Sequence, residues 1–520
     1  MRASSLYDSG TVGDLILGAI RRYPERVAFI EDERRLTYRA LGDRISLAVG
    51  MLDALGLRPG DAVAQLSGNR SELFCLVAAA YVHGLRSVTL HAAASAADHA
   101  HILRDSGAKL FVAEDYHAKG AADLKHLAGD GIAWFSHDET AGLRAFWSEA
   151  AMSAPAPLRS RRSPDGVIRL AYTGGTTGRS KGVMLTDRSL MANTLLWLAA
   201  FPMPDGDRYL CAAPMSHGAG SLVLPVLLRG GTVVLQRGFD PGRFIAGVER
   251  HRIGTTWLVP TMLYALLDQP DLPAADLSSL HALVYSAAPA APTRIRQALD
   301  RFGPILVQAY GQTEAPNTIL VMNQQDHRDA PPGRLHAAGR PSPGIQVALL
   351  DDEGREVAQG DVGEICVRGP LVMDGYWNQP AQTEEALRDG WLHTGDLAHR
   401  DADGFVHIVD RKKDMVISGG FNVYPREVED TLSAHPDVAA VAVFGLPDDR
   451  WGEAVTAVVV PRPGRHPQVQ DLRDFVRERK GAVHTPKTIE FVDALPLTSL
   501  GKPDKKALRL RFTPPGPPGG

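Results

Sequence analysis

The feature that most constrains this chain is a regular alternation of apolar strand patterns with amphipathic helix patterns. Residues 36–56, "LTYRALGDRISLAVGMLDALG", place Leu41, Ile45 and Leu52 on one helical face, and Gly56 can close that helix. A strand pattern (61–68), a helix pattern (71–83) and a second strand pattern (86–90) follow, and the alternation returns over 189–236. Helices placed between strands allow parallel pairing, so the sequence predicts an α/β fold of doubly wound layers.

A change of pattern near residues 411–414 predicts a second domain. The 520 residues exceed the usual size of one domain, and beyond Asp414 short helix patterns alternate with three strand patterns (438–446, 453–461 and 488–496). We therefore predict a large N-terminal domain over 1–410 with a smaller β-rich subdomain, a hinge at 411–413, and a small mobile α+β domain over 414–512. The Pro- and Gly-rich tail, 513–520, is predicted to be disordered.

Charge and apolar runs argue against several classes of protein. The net charge of -4 gives no basic field for nucleic acid. The longest apolar run, 73–85, is shorter than a bilayer span and is interrupted by His83 and Gly84, so no integral membrane segment is predicted. Residues 1–14 lack a secretory signal pattern, and three cysteines in apolar runs indicate buried reduced thiols. We expect a cytoplasmic protein, monomeric or homodimeric.

A glycine-rich stretch, "LAYTGGTTGRSKGV" (170–183), follows a strand pattern and has the composition of a phosphate-binding loop. Backbone N–H groups at glycine-rich turns converge on anions, and hydroxyls with Lys181 add charge-assisted donors. The stretch is not a Walker loop, because Gly182 follows the lysine. From these residues alone, glycines that merely permit a turn remain an equal alternative.

Two further stretches offer carboxylates to a nucleotide. "AYGQTEAP" (309–316) presents Tyr310, Thr313 and Glu314, and one carboxylate beside a polyphosphate suits Mg²⁺ that keeps most of its waters. In 390–430, Asp396 and Arg411 are separated by fourteen residues, enough for a hairpin to bring both to one ligand such as a ribose diol. A solvated loop charge and a surface ion pair are the respective alternatives.

The stretch "LPLTSLGKPDKKALR" (495–509) places Lys502 in a turn between Gly501 and Pro503. Most lysines extend into solvent, and that is the simplest interpretation of this one. A lysine at the tip of a mobile domain could also reach the cleft of another domain and neutralise charge there.

Together and in this order, the four stretches resemble the adenylate-forming superfamily, which includes acyl- and aryl-CoA ligases, firefly luciferase and the adenylation domains of peptide synthetases. The segments "DGWLHTGD" (389–396), "DRKKDMVISGGFNVYPREVE" (410–429) and "GLPDDRWGE" (445–453) are most similar to bacterial fatty-acid and aryl-acid CoA ligases. The resemblance implies an AMP-forming carboxylic acid–CoA ligase that uses ATP, Mg²⁺ and coenzyme A. A carboxylate attacks the α-phosphate and releases pyrophosphate, and the CoA thiol then displaces AMP. Alternatives are an enzyme that loads a carrier protein and a non-catalytic nucleotide-binding module.

The resemblance also implies roles for individual residues. Those expected at the β- and γ-phosphates are Thr173, Gly175, Thr176, Thr177, Gly178 and Lys181. Those expected at the α-phosphate, Mg²⁺, adenine and ribose are Tyr310, Gly311, Thr313, Glu314, Asp396, Arg411 and the segment Ser286, Ala287, Ala288 and Pro289. Lys502 is expected to bridge the substrate carboxylate and the α-phosphate, and Lys413 to be the pivot of the hinge. Those expected at CoA are Ser418, Gly419, Gly420, Trp451 and Lys487.

The acyl pocket is expected to be formed by His217, Gly218, Ala219, Gly220, Trp257, Val259, Ser286, Gly311 and Gln312. Small residues beside His217 leave room for a wide or long apolar acyl group, and residues 215–225 contain no acidic residue to pair with an amino group. His217 is predicted to orient the carboxylate, with a structural histidine as the alternative. The chain has Gly174 and Ser180 at two positions where the family usually has Ser and Pro. We expect this difference to affect the affinity for ATP.

Overall fold

The computed structural model describes residues 10–92, 94–114, 121–139, 142–161, 165–173, 180–328, 330–448, 450–497 and 503–513. In chain order the strands are β1 (Val27–Glu31), β2 (Arg34–Thr37), β3 (Ala62–Leu66), β4 (Arg86–Thr89), β5 (Ala108–Ala113), β6 (Ala133–Ser136), β7 (Arg144–Ala145), β8 (Val167–Thr173), β9 (Lys181–Thr186), β10 (Arg208–Cys211), β11 (Thr232–Leu235), β12 (Thr255–Leu258), β13 (Ala282–Ser286), β14 (Leu306–Gln312), β15 (Ala315–Met322), β16 (Arg340–Pro341), β17 (Gln346–Leu350), β18 (Gly363–Arg368), β19 (Leu387–Arg388), β20 (Trp391–Arg400), β21 (Val406–Arg411), β22 (Val416–Ser418), β23 (Phe421–Val423), β24 (Val438–Asp448), β25 (Gly452–Pro461) and β26 (Thr488–Phe491).

The α-helices are Val12–Arg22, Tyr38–Ala54, Ser71–His83, Ala96–Asp105, Ala121–Ala128, Phe146–Met152, Asp187–Ala200, Val223–Leu228, Pro241–His251, Pro260–Leu267, Pro292–Phe302, Gln324–Arg328, Pro380–Ala386, Pro425–Ser433, Val469–Lys480 and Lys505–Phe512. Turns of 3-10 helix occur at Gly218–Leu222, Leu272–Ala274 and Pro332–His336.

Two large sheets with mainly parallel strands form the body of the N-terminal part. One has the strand order β16-β15-β14-β13-β12-β10-β11-β1-β2, and the other has the order β7-β6-β5-β3-β4-β8-β9. Antiparallel pairs occur at their edges, including β14 with β15 and β8 with β9. One cluster of buried apolar side chains joins both sheets to the first three helices, with Phe29, Val63 and Leu76 among its members. The predicted doubly wound α/β architecture is confirmed.

Local sequence explains where the predicted helices begin and end. The helix Tyr38–Ala54 begins after Thr37, whose hydroxyl accepts the Ala40 N–H, and Gly56 follows its end at φ 75°. The helix Ser71–His83 ends at Gly84 with φ 95°, the left-handed conformation that glycine adopts without strain. Both helices and the intervening strand β3 lie where the sequence predicts them.

The two smaller sheets match the predicted β-rich subdomain and C-terminal α+β domain. The first has the order β17-β18-β20-β19, with β21 also paired to β20, and all its pairs are antiparallel. The second has the order β23-β22-β25-β24, with β26 paired to β25. Its core includes Val428 and Leu472, so the helices Pro425–Ser433 and Val469–Lys480 cover this sheet.

Contacts on either side of Lys413 attach the chain to different parts of the molecule. The Lys412 ammonium lies 2.6 Å from Asp352 and 3.5 Å from Glu364, both in the subdomain. Asp414 lies 3.6 Å from Arg509 of the last helix. Exposed Lys413 stands between these two anchors.

The three cysteines are buried thiols, as the apolar runs around them predict. Cys75, Cys211 and Cys366 are free and buried, and burial raises the pKa of each thiol to about 12, so they stay protonated. Within the described ranges, no helix has both the length and the apolar character needed to cross a membrane.

Candidate active site

Asp396 and Arg411 lie directly opposite each other on the antiparallel strands β20 and β21. Oδ1 of Asp396 is 2.6 Å from Nε of Arg411. Asp396 is buried, whereas the Arg411 side chain is 45% exposed. The predicted proximity is confirmed, and in this state the two residues form an ion pair.

The second oxygen of Asp396 is held from a different sheet. The phenol of Tyr310, on β14, donates to Oδ2 at 2.6 Å, and the amide of Gln312 lies 3.4 Å from the same oxygen. Burial, with a further contribution from Asp396, holds the pKa of the phenol well above its usual value, so it remains a donor. The nine-stranded sheet and the β-rich subdomain therefore meet at this carboxylate.

Glu314 occupies the two-residue turn between β14 and β15 and is held by a residue that sequence reasoning missed. The Tyr376 phenol donates to its Oε1 at 2.8 Å. The ammonium of Lys181 lies over the same aromatic ring, 5.0 Å from its centroid. Tyr376 thus connects the predicted magnesium carboxylate with the predicted phosphate lysine.

The position of Tyr376 follows from backbone pairing. Tyr376 bridges Val183 on β9, Met184 donates to the Gly375 carbonyl at 2.9 Å, and Trp377 donates to the Gly182 carbonyl at 2.7 Å. The only signal in the sequence is the short run "DGYWNQP" (374–380), in which two aromatic residues follow a glycine. That pattern does not reveal that the segment lies along the phosphate strand.

The ends of the predicted phosphate loop are fixed by sheet pairing. Thr173, at the end of β8, lies opposite Lys181, at the start of β9, and both are half-buried. The predictions for Gly175, Thr176, Thr177, Gly178 and Lys502 fall outside the described residues. Thr173, Lys181 and Glu314 are brought to one region through Tyr376.

The segment predicted at the adenine edge follows β13. Ser286 is buried and its hydroxyl donates to the Ala309 carbonyl at 2.7 Å, which ties it to β14 and leaves little of it for a ligand. Ala287 is exposed and has φ 76°, an uncommon conformation for a residue with a Cβ. Ala288 is half-buried and Pro289 is exposed. Backbone strain of this kind is found disproportionately at functional sites.

His217 lies in a polar group between the two large sheets. Its Nδ1 is 2.8 Å from the Ser216 hydroxyl, and its ring packs edge-on against His91 with centroids 4.6 Å apart. Arg169 donates to the Ser216 carbonyl at 2.6 Å. Burial, helped by His91 and Arg169, lowers the pKa of His217 to about 3, so the imidazole is neutral near pH 7.

The three small residues after His217 differ in what surrounds them. A Cβ on Gly218 would lie 2.8 Å from Cζ2 of Trp257 and 3.3 Å from Nδ2 of Asn317. A Cβ on Gly220 would lie 1.9 Å from the Met215 carbonyl oxygen, so this glycine is required by the backbone of the turn. Ala219 is fully buried in the core. Of the three, Gly218 borders the predicted pocket.

Of the other predicted pocket residues, Trp257 lies against Gly218. Trp257, on β12, is 4% exposed, and half-buried Val259 follows that strand. Half-buried Gly311 and Gln312 end β14, and a Cβ on Gly311 would lie 2.4 Å from the Asn317 backbone nitrogen. Asn317 is a further residue that sequence reasoning missed, because its approach depends on the pairing of β14 with β15.

The predicted CoA residues form one cluster on the C-terminal domain. Gly419 and Gly420 turn the chain between β22 and β23 at φ 61° and 82°, after buried Ser418. Gly419 donates to the Trp451 carbonyl at 2.8 Å, and the Lys487 ammonium lies 4.9 Å from the Trp451 ring centroid. Burial, together with the charges of Arg473 and Arg477, lowers the pKa of Lys487. An aromatic face with nearby cations suits a nucleotide that carries phosphate.

A group of possible metal ligands also occurs beside the hinge. Ligand atoms of Glu364, Cys366 and His393 all lie within 4.8 Å of one another. Nη2 of Arg388 lies 3.0 Å from Nδ1 of His393, and the Lys412 ammonium lies 3.5 Å from Oε2 of Glu364. Because cations contact these donors, the group acts as an ion-pair cluster that anchors Lys412.

This fold, with the residues predicted to bind a nucleotide meeting between sheets and with a separate C-terminal domain, is typical of enzymes that activate carboxylates with ATP. A family model for AMP-binding enzymes matches residues 18–377, and a model for the C-terminal domain of AMP-binding enzymes matches 427–502. The chain therefore belongs to the AMP-binding enzyme family.

Similar proteins span nearly the whole chain. A medium/long-chain-fatty-acid–CoA ligase of Mycobacterium tuberculosis is 44% identical, over 96% of this chain and 90% of that one. A feruloyl-CoA synthase of an Amycolatopsis species is 40% identical, over 95% and 97%. A solved amide bond synthetase from Marinactinospora thermotolerans is 35% identical with a TM-score of 0.89, over 96% and 100%. The protein is an AMP-forming carboxylic acid–CoA ligase that uses ATP, Mg²⁺ and CoA.

Proposed function

We propose that the acid is hydrophobic, either aromatic or of medium to long chain, and that it is activated between Glu314 and His217. The convergence of Asp396, Arg411, Tyr310 and Glu314 from separate elements supports activation by ATP at this place, and the uncharged predicted pocket supports the hydrophobic class. The predicted pocket contains no carboxylate to pair with an amino acid. Two relatives with nearly full coverage carry the names of a fatty-acid and a feruloyl enzyme, which supports this class.

The chemistry needs alignment and charge neutralisation more than covalent help from the protein. A carboxylate is a poor electrophile, and joining it to AMP makes a mixed anhydride that a thiol can open. Attack at phosphorus is promoted by holding the reacting atoms in line. Neutral His217 can orient the carboxylate by a hydrogen bond, and Thr313 precedes Glu314 in the turn between β14 and β15.

Magnesium and ATP fit the donor groups at this site. Oε1 of Glu314 accepts a hydrogen bond from Tyr376, and Oε2 can bind a cation. In the coordination shell of Mg²⁺, a protein commonly supplies one carboxylate. Mg²⁺ supplies charge neutralisation on the phosphate oxygens. Exposed Arg411 and buried Asp396 are placed to exchange their mutual contact for a ribose diol.

The two half-reactions require different groups from the C-terminal domain. Lys502 serves the first step, and the segment Ser418–Gly420 serves the second. One small domain cannot present both faces at once, so the domain turns about Lys413. The separate anchoring of Lys412 and Asp414 supports a pivot at this residue.

The thiol acceptor is free CoA, with a carrier protein as the alternative. The charged groups of Lys487 and Arg450 each lie 4.9 Å from the centroid of the Trp451 ring, which offers a surface for the nucleotide of CoA. A carrier protein has no such nucleotide. Trp451→Ala should raise the KM for CoA about tenfold and leave pyrophosphate exchange unchanged. An unchanged KM for CoA, with turnover of a phosphopantetheinylated carrier protein, would favour the alternative.

One experiment tests the proposal as a whole. ATP–pyrophosphate exchange is measured with aryl, medium-chain and polycyclic acids and, for comparison, with amino acids and short polar acids. Each active acid is then tested for its CoA thioester. We expect exchange and thioester with at least one aryl or medium-chain acid. Exchange confined to amino acids or to short polar acids would contradict the proposed class.

A further inference from the structure

Three elements meet at the position where Gly218 lacks a side chain. A Cβ there would lie 2.8 Å from Cζ2 and 3.1 Å from Cη2 of Trp257, and 3.3 Å from Nδ2 of Asn317. These residues come from a 3-10 turn, from β12 and from β15, which are distant in sequence. The absent Cβ therefore marks a point that the ring carbons of Trp257 and the side-chain amide of Asn317 both approach closely.

The indole N–H of Trp257 is an exception among the buried groups around it. Trp257 is 4% exposed, and within the described residues its Nε1 finds no hydrogen-bond acceptor. Nε1 is two covalent bonds from Cζ2, the ring atom closest to Gly218. In the same core cluster, Trp197 donates its N–H to the Ser221 hydroxyl at 2.9 Å. Buried N–H groups nearly always have partners, so an orphan of this kind calls for one.

Asn317 is held in an unusual conformation at this point. Its φ of 55° lies in the left-handed region. Asn193, on the helix Asp187–Ala200, donates to the Pro316 carbonyl at 2.6 Å and to the Thr318 hydroxyl at 3.1 Å, which fixes both neighbours. Gly311 permits the close backbone approach. The hydrogen bonds on both sides therefore hold Asn317 in place beside Gly218.

We propose that Trp257 and Asn317 together bind a neutral oxygen on the acyl group, so the preferred acids carry a hydroxyl, ether or keto oxygen away from the carboxylate. This inference rests on the proposed function and narrows its substrate class. Both groups are uncharged, so they suit a neutral acceptor rather than a second carboxylate. The oxygen accepts from the indole N–H and from the Asn317 amide, and both side chains flank Gly218, where a larger residue would displace them.

The test compares acids that differ only in that oxygen. ATP–pyrophosphate exchange of the full-length enzyme is measured with 4-methoxycinnamate against 4-ethylcinnamate, and with 9-methoxynonanoate against undecanoate. In each pair an ether oxygen replaces one methylene. In at least one skeleton, we expect kcat/KM for the oxygenated acid to exceed that for its partner about tenfold.

Variants assign the preference to the two side chains. Trp257→Phe should bring the ratio of the two kcat/KM values close to one. Asn317→Ala should have the same effect, and it provides the test if Trp257→Phe does not fold. Trp197→Phe, the same change at a satisfied indole in the same cluster, should leave the ratio as in the wild type. The inference would be overturned by a kcat/KM ratio near one in the wild type, or by a ratio that stays at the wild-type value in both pocket variants. Either result would leave the proposed function intact. Absence of exchange with all four acids would count against both.

Discussion

The Tyr376 phenol donates a hydrogen bond of 2.8 Å to Oε1 of Glu314, and its ring lies under the ammonium of Lys181. One side chain thus contacts the carboxylate expected to hold Mg²⁺ and the lysine expected to hold phosphate. Its own backbone is paired with β9, which carries that lysine. We therefore propose that Tyr376 positions the carboxylate predicted to hold Mg²⁺ relative to the lysine predicted to hold phosphate.

Tyr376→Phe removes the hydroxyl and keeps the ring below Lys181. Glu314 then loses a hydrogen bond that fixes its orientation, and bonds to charged groups are among the stronger ones. We expect the Mg²⁺ concentration that gives half-maximal pyrophosphate exchange to rise about tenfold. Tyr172→Phe is the matched control, because that phenol donates to Asp105 at 2.6 Å instead. An equal Mg²⁺ requirement in both variants would argue for a purely structural Tyr376.

Lys502→Ala tests the predicted bridge between the substrate carboxylate and the α-phosphate. Removing one preorganised donor to a transition state costs about a hundredfold to a thousandfold in rate. We expect acyl-AMP formation to fall by that factor, while thioester formation from supplied acyl-AMP is largely retained. The control is Lys506→Ala, which removes an exposed lysine nearby. Equal loss of both half-reactions would contradict the assignment.

Lys413→Pro tests the pivot. Proline fixes φ near -65° and restricts the preceding residue, so the chain loses the rotation that domain movement needs. We expect pyrophosphate exchange to be retained and release of the CoA thioester to fall by at least about tenfold. Lys413→Ala, which changes the side chain and leaves the backbone free, should retain both steps. A second step unaffected by proline would place the pivot elsewhere.

Buried neutral His327 makes stability depend on pH. Its Nε2 accepts from the Tyr285 phenol at 2.9 Å, its Nδ1 donates to the Asn323 carbonyl at 2.8 Å, and burial lowers its pKa from 6.5 to about 4. Between pH 6.5 and 4 the unfolded chain binds a proton that the folded chain does not, so stability falls as pH drops through this window. This residue should account for about 2 kcal/mol of the loss between pH 7 and pH 5.

His327→Gln removes the titrating group and retains an acceptor and a donor. Thermal unfolding at pH 7 and pH 5 should show a smaller drop in apparent Tm for the variant than for the wild type. At pH 7 the variant is expected to be the less stable protein. An identical drop in both would show that the pKa of His327 is not lowered in the folded protein.

The sequence by itself determined the layers and the outline of the nucleotide site. Periodic apolar residues predict the helix Tyr38–Ala54 and the strand β3, because burial of one face imposes the period. A hairpin of suitable length predicts that Asp396 and Arg411 meet, since local chain geometry brings them together. These features depend on neighbours in the sequence.

Only the tertiary structure decided which side chains from distant segments share a contact. Tyr376 reaches Glu314 because its segment pairs with β9, and Asn317 and Trp257 both approach Gly218 although two strands of the sheet separate β15 from β12. No local pattern encodes either contact, since each depends on how separate elements pack. The same packing leaves the Trp257 indole without a partner, and packing rather than residue type sets the pKa of His217 near 3.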